Sequence, residues 1–351
     1  MKISISAHYS RGNIAGQAQE LKDLESAGAD YIWVAESYSF DSVSALGYLS
    51  AVTEKATLAS GIMNVYSRTP TLLAMTAAGL DSLSNGRFML GLGASGPQVI
   101  EGFHGLPYDA PLTRMREVVE ICRKVWKRQD KLTHDGKYYH LPLTKEQGGS
   151  GLGKPLKIIN HPYRESIPIA LATLGEKSVE VTAEIADAWL PAFFMAEGAD
   201  AVWGDALRKG NAKRDPSLPP LEVFAGGAVA IGEGLEGHRD MARPNIALYV
   251  GGMGAKDKNF YNQIFRKYGF EEEAEKIQEL YLSGHKSEAE AAIPQQYLDA
   301  TSLIGPEGFI RDRIAAFKEA GVTVLSASFM GTTTEERVRH CDALRNIIEK
   351  V

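Results

Sequence analysis

Eight short apolar runs punctuate the chain, centred on Ile3, Ile32, Leu58, Met89, Ile169, Trp189, Val223 and Val324. Asp30–Ala35 reads Asp-Tyr-Ile-Trp-Val-Ala, apolar at consecutive positions. A strand of that kind is covered on both faces, as in a parallel sheet between helices. Helical stripes lie between most of the runs. Asn13–Ala27 carries Ile14, Ala18, Leu21 and Leu24 on one side, and Gly28 closes it. Further helices are expected at about Ser42–Ala51, Pro70–Leu83, Thr113–Lys127, Lys177–Ile185, Ala199–Lys209, Pro306–Ala320 and Thr334–Ile348. Alternation with short connections builds βαβ units, which close either as an open doubly wound sheet or as a barrel. Eight strands and 351 residues favour an α/β fold of the (β/α)8 TIM barrel type, read as a single domain over 1–351.

Two stretches break the alternation. Thr133–Leu141 contains Asp135-Gly136, the signal of a tight hairpin, and is followed by a glycine-rich loop at Glu146–Lys154. About Gly237–Ile293 reads as a helical insertion. Its Arg239, Arg243, Lys256, Lys258 and Arg266 either help lid the barrel or form a solvated face.

Composition narrows the function. A net charge of −6 gives no electrostatic case for nucleic acid or a membrane surface. Cys122 and Cys341 are too few for a disulfide framework or metal cluster and read as reduced thiols. The start, Met1-Lys2-Ile3-Ser4-Ile5, alternates like a strand and lacks a signal-peptide apolar run, and no stretch is long enough to span a bilayer. A cytoplasmic protein is expected.

In a barrel of this kind the site lies where the strands end. Those ends present Ser6 and His8, then Glu36, Ser37 and Tyr38, then Gly61, Ile62, Met63 and Asn64. Gly93, Ala94 and Ser95 follow, and last come Ala172 and Thr173, leading into Leu174-Gly175-Glu176-Lys177. No metal-ligand spacing, Gly-x-Ser-x-Gly elbow or P-loop is present. Small residues with scattered polar groups suit a flat organic cofactor. Thr173–Lys177 turns from strand to helix, where free amides would suit a phosphate, although any such turn looks similar. Gly91–Gly96 has the wrong spacing for a dinucleotide fingerprint.

The chain resembles the bacterial luciferase-like superfamily, and within it the coenzyme F420-dependent branch around methylene-tetrahydromethanopterin reductase. The resemblance rests on Gly28-Ala29-Asp30 with Trp33–Glu36, on Ser60–Pro70, on Asp81–Gly93, on Ala186–Trp189, and on Gly305-Pro306-Glu307 with Ala320–Thr323. It implies an oxidoreductase that moves hydride between F420 and a small organic substrate, as a homodimer burying the second and third helices. It also implies a non-prolyl cis peptide at Gly61-Ile62, forming a bulge behind the deazaflavin ring. Glu36 would stand near the ring, Asn64, Gly93 and Ala94 would line it, and Gly175, Glu176 and Lys177 would offer amides to the phosphate. Asp81, Arg87 and Asp187 read as structural.

The departures from relatives concern proton transfer. Ser37 stands where sugar-phosphate dehydrogenase relatives have a catalytic histidine, Ala94-Ser95-Gly96-Pro97-Gln98 where they have a glutamate soon after the fourth strand, and Ser6 where methanopterin reductases carry a glutamate. His8 and Glu36 remain as acid–base candidates, with Tyr66 and Gln98 behind them. Tyr38 and Phe40 read either as a substrate wall or as core. The alternatives are an FMN-dependent monooxygenase and a non-catalytic F420-binding protein.

Overall fold

The computed structural model describes residues 1–7, 13–253 and 259–351. Its strands are β1 (Lys2–Ala7), β2 (Tyr31–Val34), β3 (Thr57–Ser60), β4 (Met63–Asn64), β5 (Phe88–Gly93), β6 (His134–Asp135) and β7 (His140–Leu141). They continue with β8 (Ile169–Ala172), β9 (Ala188–Leu190), β10 (Glu222–Ile231), β11 (Leu303–Gly305) and β12 (Val324–Phe329). Eight pair in parallel in the order β1-β2-β3-β5-β8-β9-β10-β12, and β12 returns to β1, which closes the barrel.

Side-chain alternation divides the strands between two cores. Ile32 and Val34 pack outward among the helices, whereas Tyr31 and Trp33 face the lumen with Ala59, Met89, Ala170, Ala188 and Phe224. Tyr31 and Trp33 each meet Phe224 edge-on, at 5.0 and 5.2 Å. Below them Lys2 donates to Glu222 (2.7 Å) and to the Tyr31 hydroxyl (3.0 Å), sealing the base of the barrel. The filled lower lumen leaves the upper ends of the strands as the place where a ligand fits.

The helices begin where their first turns are capped. Asn13, Asp41 and Thr69 each accept from a first-turn amide, and Pro70 stands at the first helical position of Pro70–Leu83. The residues read as structural are so placed. Asp81, fully buried, accepts from Arg164 and from the Phe88 amide. Arg87 donates to the carbonyls of Ala56 and Thr53, and Asp187 accepts from the Ile169 amide and Arg123.

Three features differ from the sequence reading. β4 and β11 are additional short strands. The hairpin β6–β7 forms, but its loop holds four residues, Gly136 to Tyr139, rather than the two of a tight Asp-Gly turn. The cause is buried Glu117, whose carboxylate accepts from the amides of Lys137, Tyr138 and Tyr139 and so gathers the loop around itself. The insertion runs from Glu236 to Ala300 among the described residues, beyond the expected Ile293. It builds its own core from Ile246, Val250, Phe265, Phe270, Ile277 and Tyr297. β11 then anchors it to the far end of β10, pairing Leu303 with Val229, so the insertion stands beside the barrel mouth.

Candidate active site at the strand ends

The third strand does not end cleanly. Ala59 pairs with Met89 and Met63 with Leu92, so four steps, 59 to 63, oppose three, 89 to 92. One residue is in excess, the definition of a β-bulge. Within it the Gly61-Ile62 peptide is cis, in agreement with the expectation. The Ser60 hydroxyl patches the broken ladder by accepting from the Gly91 amide and donating to the Gly91 carbonyl, both at 2.9 Å. Gly91 has no room for more: a Cβ there would lie 1.8 Å from the Ser60 carbonyl oxygen. A Cβ on Gly93 would come within 2.9 Å of the Ile62 side chain and 3.6 Å of Ala172.

Register then lines up the expected ring-binding residues. Asn64 pairs with Gly93, and Gly93 with Ala172. At about 4.8 Å per strand this is a ledge roughly 10 Å wide, with Ala94 and Thr173 one step higher. The Asn64 side-chain oxygen accepts from the amides of Tyr66 (3.0 Å) and Ser67 (2.7 Å), fixing the loop beyond the bulge.

The ledge leads to the helix Glu176–Ile185. Gly175 is its N-cap, and no side chain caps its first turn. Thr173 shares a 2.8 Å hydrogen bond with Thr182, and the indoles of Trp189 and Trp203 donate to the carbonyls of Thr173 and Leu174. The turn is therefore held from behind, with the helix N-terminus facing outward. The Glu176 carboxylate accepts from Lys267 of the insertion, so this residue can offer a ligand its backbone rather than its charge.

Glu36 is only 7% exposed, and both its oxygens are engaged. Arg68 donates to the two of them at 2.5 and 2.9 Å, while the Ser42 amide and hydroxyl each donate at 2.9 Å. Burial pushes this carboxyl up, but the Arg68 and Ser42 donors outweigh it and hold the group below the usual carboxylate range. It fixes the loop after β2 to the loop after the bulge.

Sequence reasoning missed His104. It sits on the turn after the short helix Pro97–Ile100, with one ring nitrogen 3.5 Å from the Asn64 amide nitrogen. The Phe103 and Tyr38 rings lie beside it, at 5.3 and 6.3 Å in succession. Tyr38, Phe40 and Phe103 are each about two-thirds exposed (67, 64 and 66%), so they are not core. Nothing periodic marks Glu101–His104, because a single turn carries no repeat to read. Tyr66 instead belongs to an aromatic cluster: its ring lies tilted 5.4 Å from that of Tyr108, its hydroxyl donates to the Asp109 carbonyl, and it lies under Arg114, which also covers Tyr138 of the hairpin. Gln98 is exposed on its short helix, and His8 lies outside the described residues.

On the other side of the mouth, Phe193, Tyr249 and Tyr261 form a ring trio with centroids 4.8 to 5.3 Å apart. Ser37, Ser95 and Phe193 all take positive φ (32°, 56° and 58°) just past strand ends. Left-handed backbone at non-glycine residues tends to gather at functional sites. Between β10, β12, β1 and β2 a cavity of about 320 Å³ is lined by Ser4, Ser6, Trp33, Gly226, Ser326 and Ser328, among others. Among the described residues no three His, Cys, Asp or Glu side chains group as metal ligands, and no helix is long and apolar enough to cross a membrane.

The insertion cations read either as a lid or as a solvated face already have partners where they are described. Arg239 pairs with Asp299 and donates to the Ile304 carbonyl, Arg243 holds the carbonyls of Glu290 and Ile293, and Arg266 bonds Asn262. Lys256 and Lys258 lie outside the described residues.

Known proteins share this architecture. A Mycobacterium tuberculosis chain named, provisionally, a coenzyme F420-dependent oxidoreductase is 38% identical over 329 residues, 93% of either chain. A 5,10-methylenetetrahydromethanopterin reductase of Archaeoglobus fulgidus is 26% identical, covering 91% of each. The solved coenzyme F420-dependent tetrahydromethanopterin reductase of Methanopyrus kandleri superposes with a TM-score of 0.76 over 97% of both chains, at 22% identity, which bears on the fold alone. Residues 2–324 match the luciferase-like monooxygenase family. With the closed barrel, the bulge and this match over most of its length, the chain belongs to the luciferase-like monooxygenase family and is an enzyme of that family.

Proposed function

We propose that this chain is a coenzyme F420-dependent oxidoreductase moving a hydride between the deazaflavin and a small organic substrate. The observation that carries the reading is the continuous ledge Asn64–Gly93–Ala172, which runs from the bulge to an uncapped helix N-terminus. A flat ring fits one end and a phosphate the other. The 38% identity to a chain named for F420 supports the deazaflavin over FMN. When bound, F420 supplies the hydride chemistry.

The chain's own residues bind and orient. Gly61, Ile62, Asn64, Gly93 and Ala94 line the ring and its side chain, and the backbone of Gly175, Glu176 and Lys177 receives the phosphate, with Thr173 holding the turn. Glu36, with its oxygens committed to Arg68 and Ser42, is a positioning residue. His8, outside the described residues, stays as the acid–base candidate. Exposed Tyr48, Leu72, Met75 and Leu83, on or at the end of the helices Ser42–Val52 and Pro70–Leu83, support a homodimer contact there.

Titration of the purified chain with F420, followed by deazaflavin fluorescence, tests the reading, with saturable binding expected. Tight FMN binding with oxygen uptake would point to a monooxygenase instead. F420 binding without turnover on any hydride acceptor would leave a non-catalytic binding protein. Sedimentation equilibrium on the same sample should give a dimer, and a monomer would remove the contact proposed for those helices.

A further inference from the structure

We infer that the barrel wall is open between β1 and β12, and that this seam is a side entrance through which water and other small uncharged molecules reach the lumen. Its use as a path that stays open while a cofactor covers the mouth rests on the proposed function; the opening itself does not.

The seam follows from register. β1 and β12 pair only from Lys2–Val324 to Ser4–Ser326. Both strands continue, but with their other neighbours: β1 follows β2 as far as Ala7, and β12 follows β10 as far as Phe329. Continued in register, Ser6 would stand opposite Ser328, yet the ladder has already ended. Where it ends, the Ser4 hydroxyl reaches that of Ser326 at 3.3 Å. Strands that twist apart in this way leave a gap, and the backbone groups along it need water or another polar partner.

The cavity of about 320 Å³ crosses the wall at this place, because its lining comes from both faces of the strands. Ser4, Ser6, Trp33, Ser326 and Ser328 line it from the lumen. Gln17, Glu20, Leu21 and Leu24 line it from the helix Ile14–Ser26, and Arg337 from the helix Thr334–Ile348. A cavity confined to the lumen could not touch Leu21 and Leu24, which pack in the outer core with Ile5 and Leu325. Trp33 forms the inner end. A Cβ on Gly61 would lie 3.3 Å from its ring and one on Gly91 3.1 Å, so the indole that lines the cavity also backs the bulge. The volume has room for several water molecules.

The side chains decide what passes. Serine hydroxyls and the apolar surfaces of Ile5, Leu21, Leu24 and Phe329 make most of the lining. Among the described lining residues the charged ones are Glu20 and Arg337, and they are spent on each other. Arg337 donates to the two Glu20 oxygens at 2.7 and 2.6 Å and to the Gly331 carbonyl at 2.8 Å, while the Thr334 hydroxyl donates to Glu20 at 3.1 Å. An ion in the seam would give up hydration without gaining a counter-charge, whereas water or a small amide meets hydroxyls. The pair ties the two helices together at the outer rim. Farther along, the helices pack directly, with the Cys341 thiol 3.8 Å from the Leu24 carbonyl and 3.7 Å from that of Ala27. The rim pair therefore sets the width of the entrance.

Quenching of tryptophan fluorescence tests this on the purified chain without cofactor, with acrylamide as the neutral probe and iodide as the charged one. Trp126, Trp189 and Trp203 are fully buried, and Trp33→Phe removes the indole that lines the cavity, so comparison with that variant isolates the Trp33 share of the signal. Acrylamide should quench that share and iodide should not. Ala327→Leu fills the seam from the outer core and leaves the mouth as it is, and it should abolish the quenching of Trp33. Arg337→Ala removes the rim and should raise it. Ala327→Leu decides where its melting curve matches that of the wild type, and Arg337→Ala decides otherwise. Unchanged acrylamide quenching in the deciding variant would put the entrance at the mouth and overturn the inference. Equal quenching by iodide, or no quenching of Trp33 at all, would overturn it too. Failure of F420 to bind would sink the proposed function alone, since the quenching is read without cofactor.

Discussion

The two sides of the barrel mouth are built on different principles. On the side of β2, β3 and β5 the wall is held by buried charge: Glu36 and Arg68 are largely covered and cross-link two loops 32 residues apart in the chain. On the side of β9 and β10 the wall belongs to the helical insertion, which packs its own core and meets the barrel helix through the exposed pair Lys267–Glu176. The barrel wall therefore has little freedom to adjust, and the insertion can vary in sequence without disturbing the bulge.

Breaking the buried pair should have the largest effect. Arg68→Ala leaves Glu36 covered and without its cation, and should cost about 3–5 kcal/mol of stability in urea unfolding, with loss of F420 binding. A cost below about 1 kcal/mol would mean that the pair behaves as a surface bridge and that the contrast between the two walls is false.

Acid should loosen the same wall next. The carboxyl of Glu36 titrates below its ordinary value of 4.5 in the folded chain. A depressed carboxyl contributes stability above its unfolded pKa and loses it as pH falls through the lower folded value. Unfolding free energy should therefore decline below about pH 4.5 more steeply in the wild type than in Glu36→Gln. Parallel pH profiles would exclude Glu36 as a contributor.

The smallest effect belongs to the insertion side. Lys267→Ala removes an exposed pair, and the melting temperature should stay where it is. A clear drop in melting temperature would show that the insertion is tied to the barrel as firmly as the β2–β3 wall is tied to itself.

Much of this architecture is legible in the residues. Asp30–Ala35 shows a doubly covered strand, and Pro70 after Thr69 shows a helix start, because each is set by contacts a few residues apart. The hairpin was visible in Asp135-Gly136, but its loop length was not, since Glu117, which gathers that loop, lies about 20 residues earlier. The row Asn64–Gly93–Ala172 agrees with residues named from the resemblance, yet its continuity comes from register between three strands. His104 gave no signal at all: its place depends on a turn that brings it back to a residue 40 positions earlier.

The sequence by itself determined the eight barrel strands with the helices between them, and the place where the third strand breaks. These follow from local periodicity and from small residues where backbone must approach backbone. Only the tertiary structure decided which charges are already spent. It took Arg68 for Glu36, committed Arg239 to the backbone of β11 and Arg243 to that of the insertion, and set His104 beside Asn64. Charge pairing acts through space rather than along the chain, so no spacing in the sequence records it.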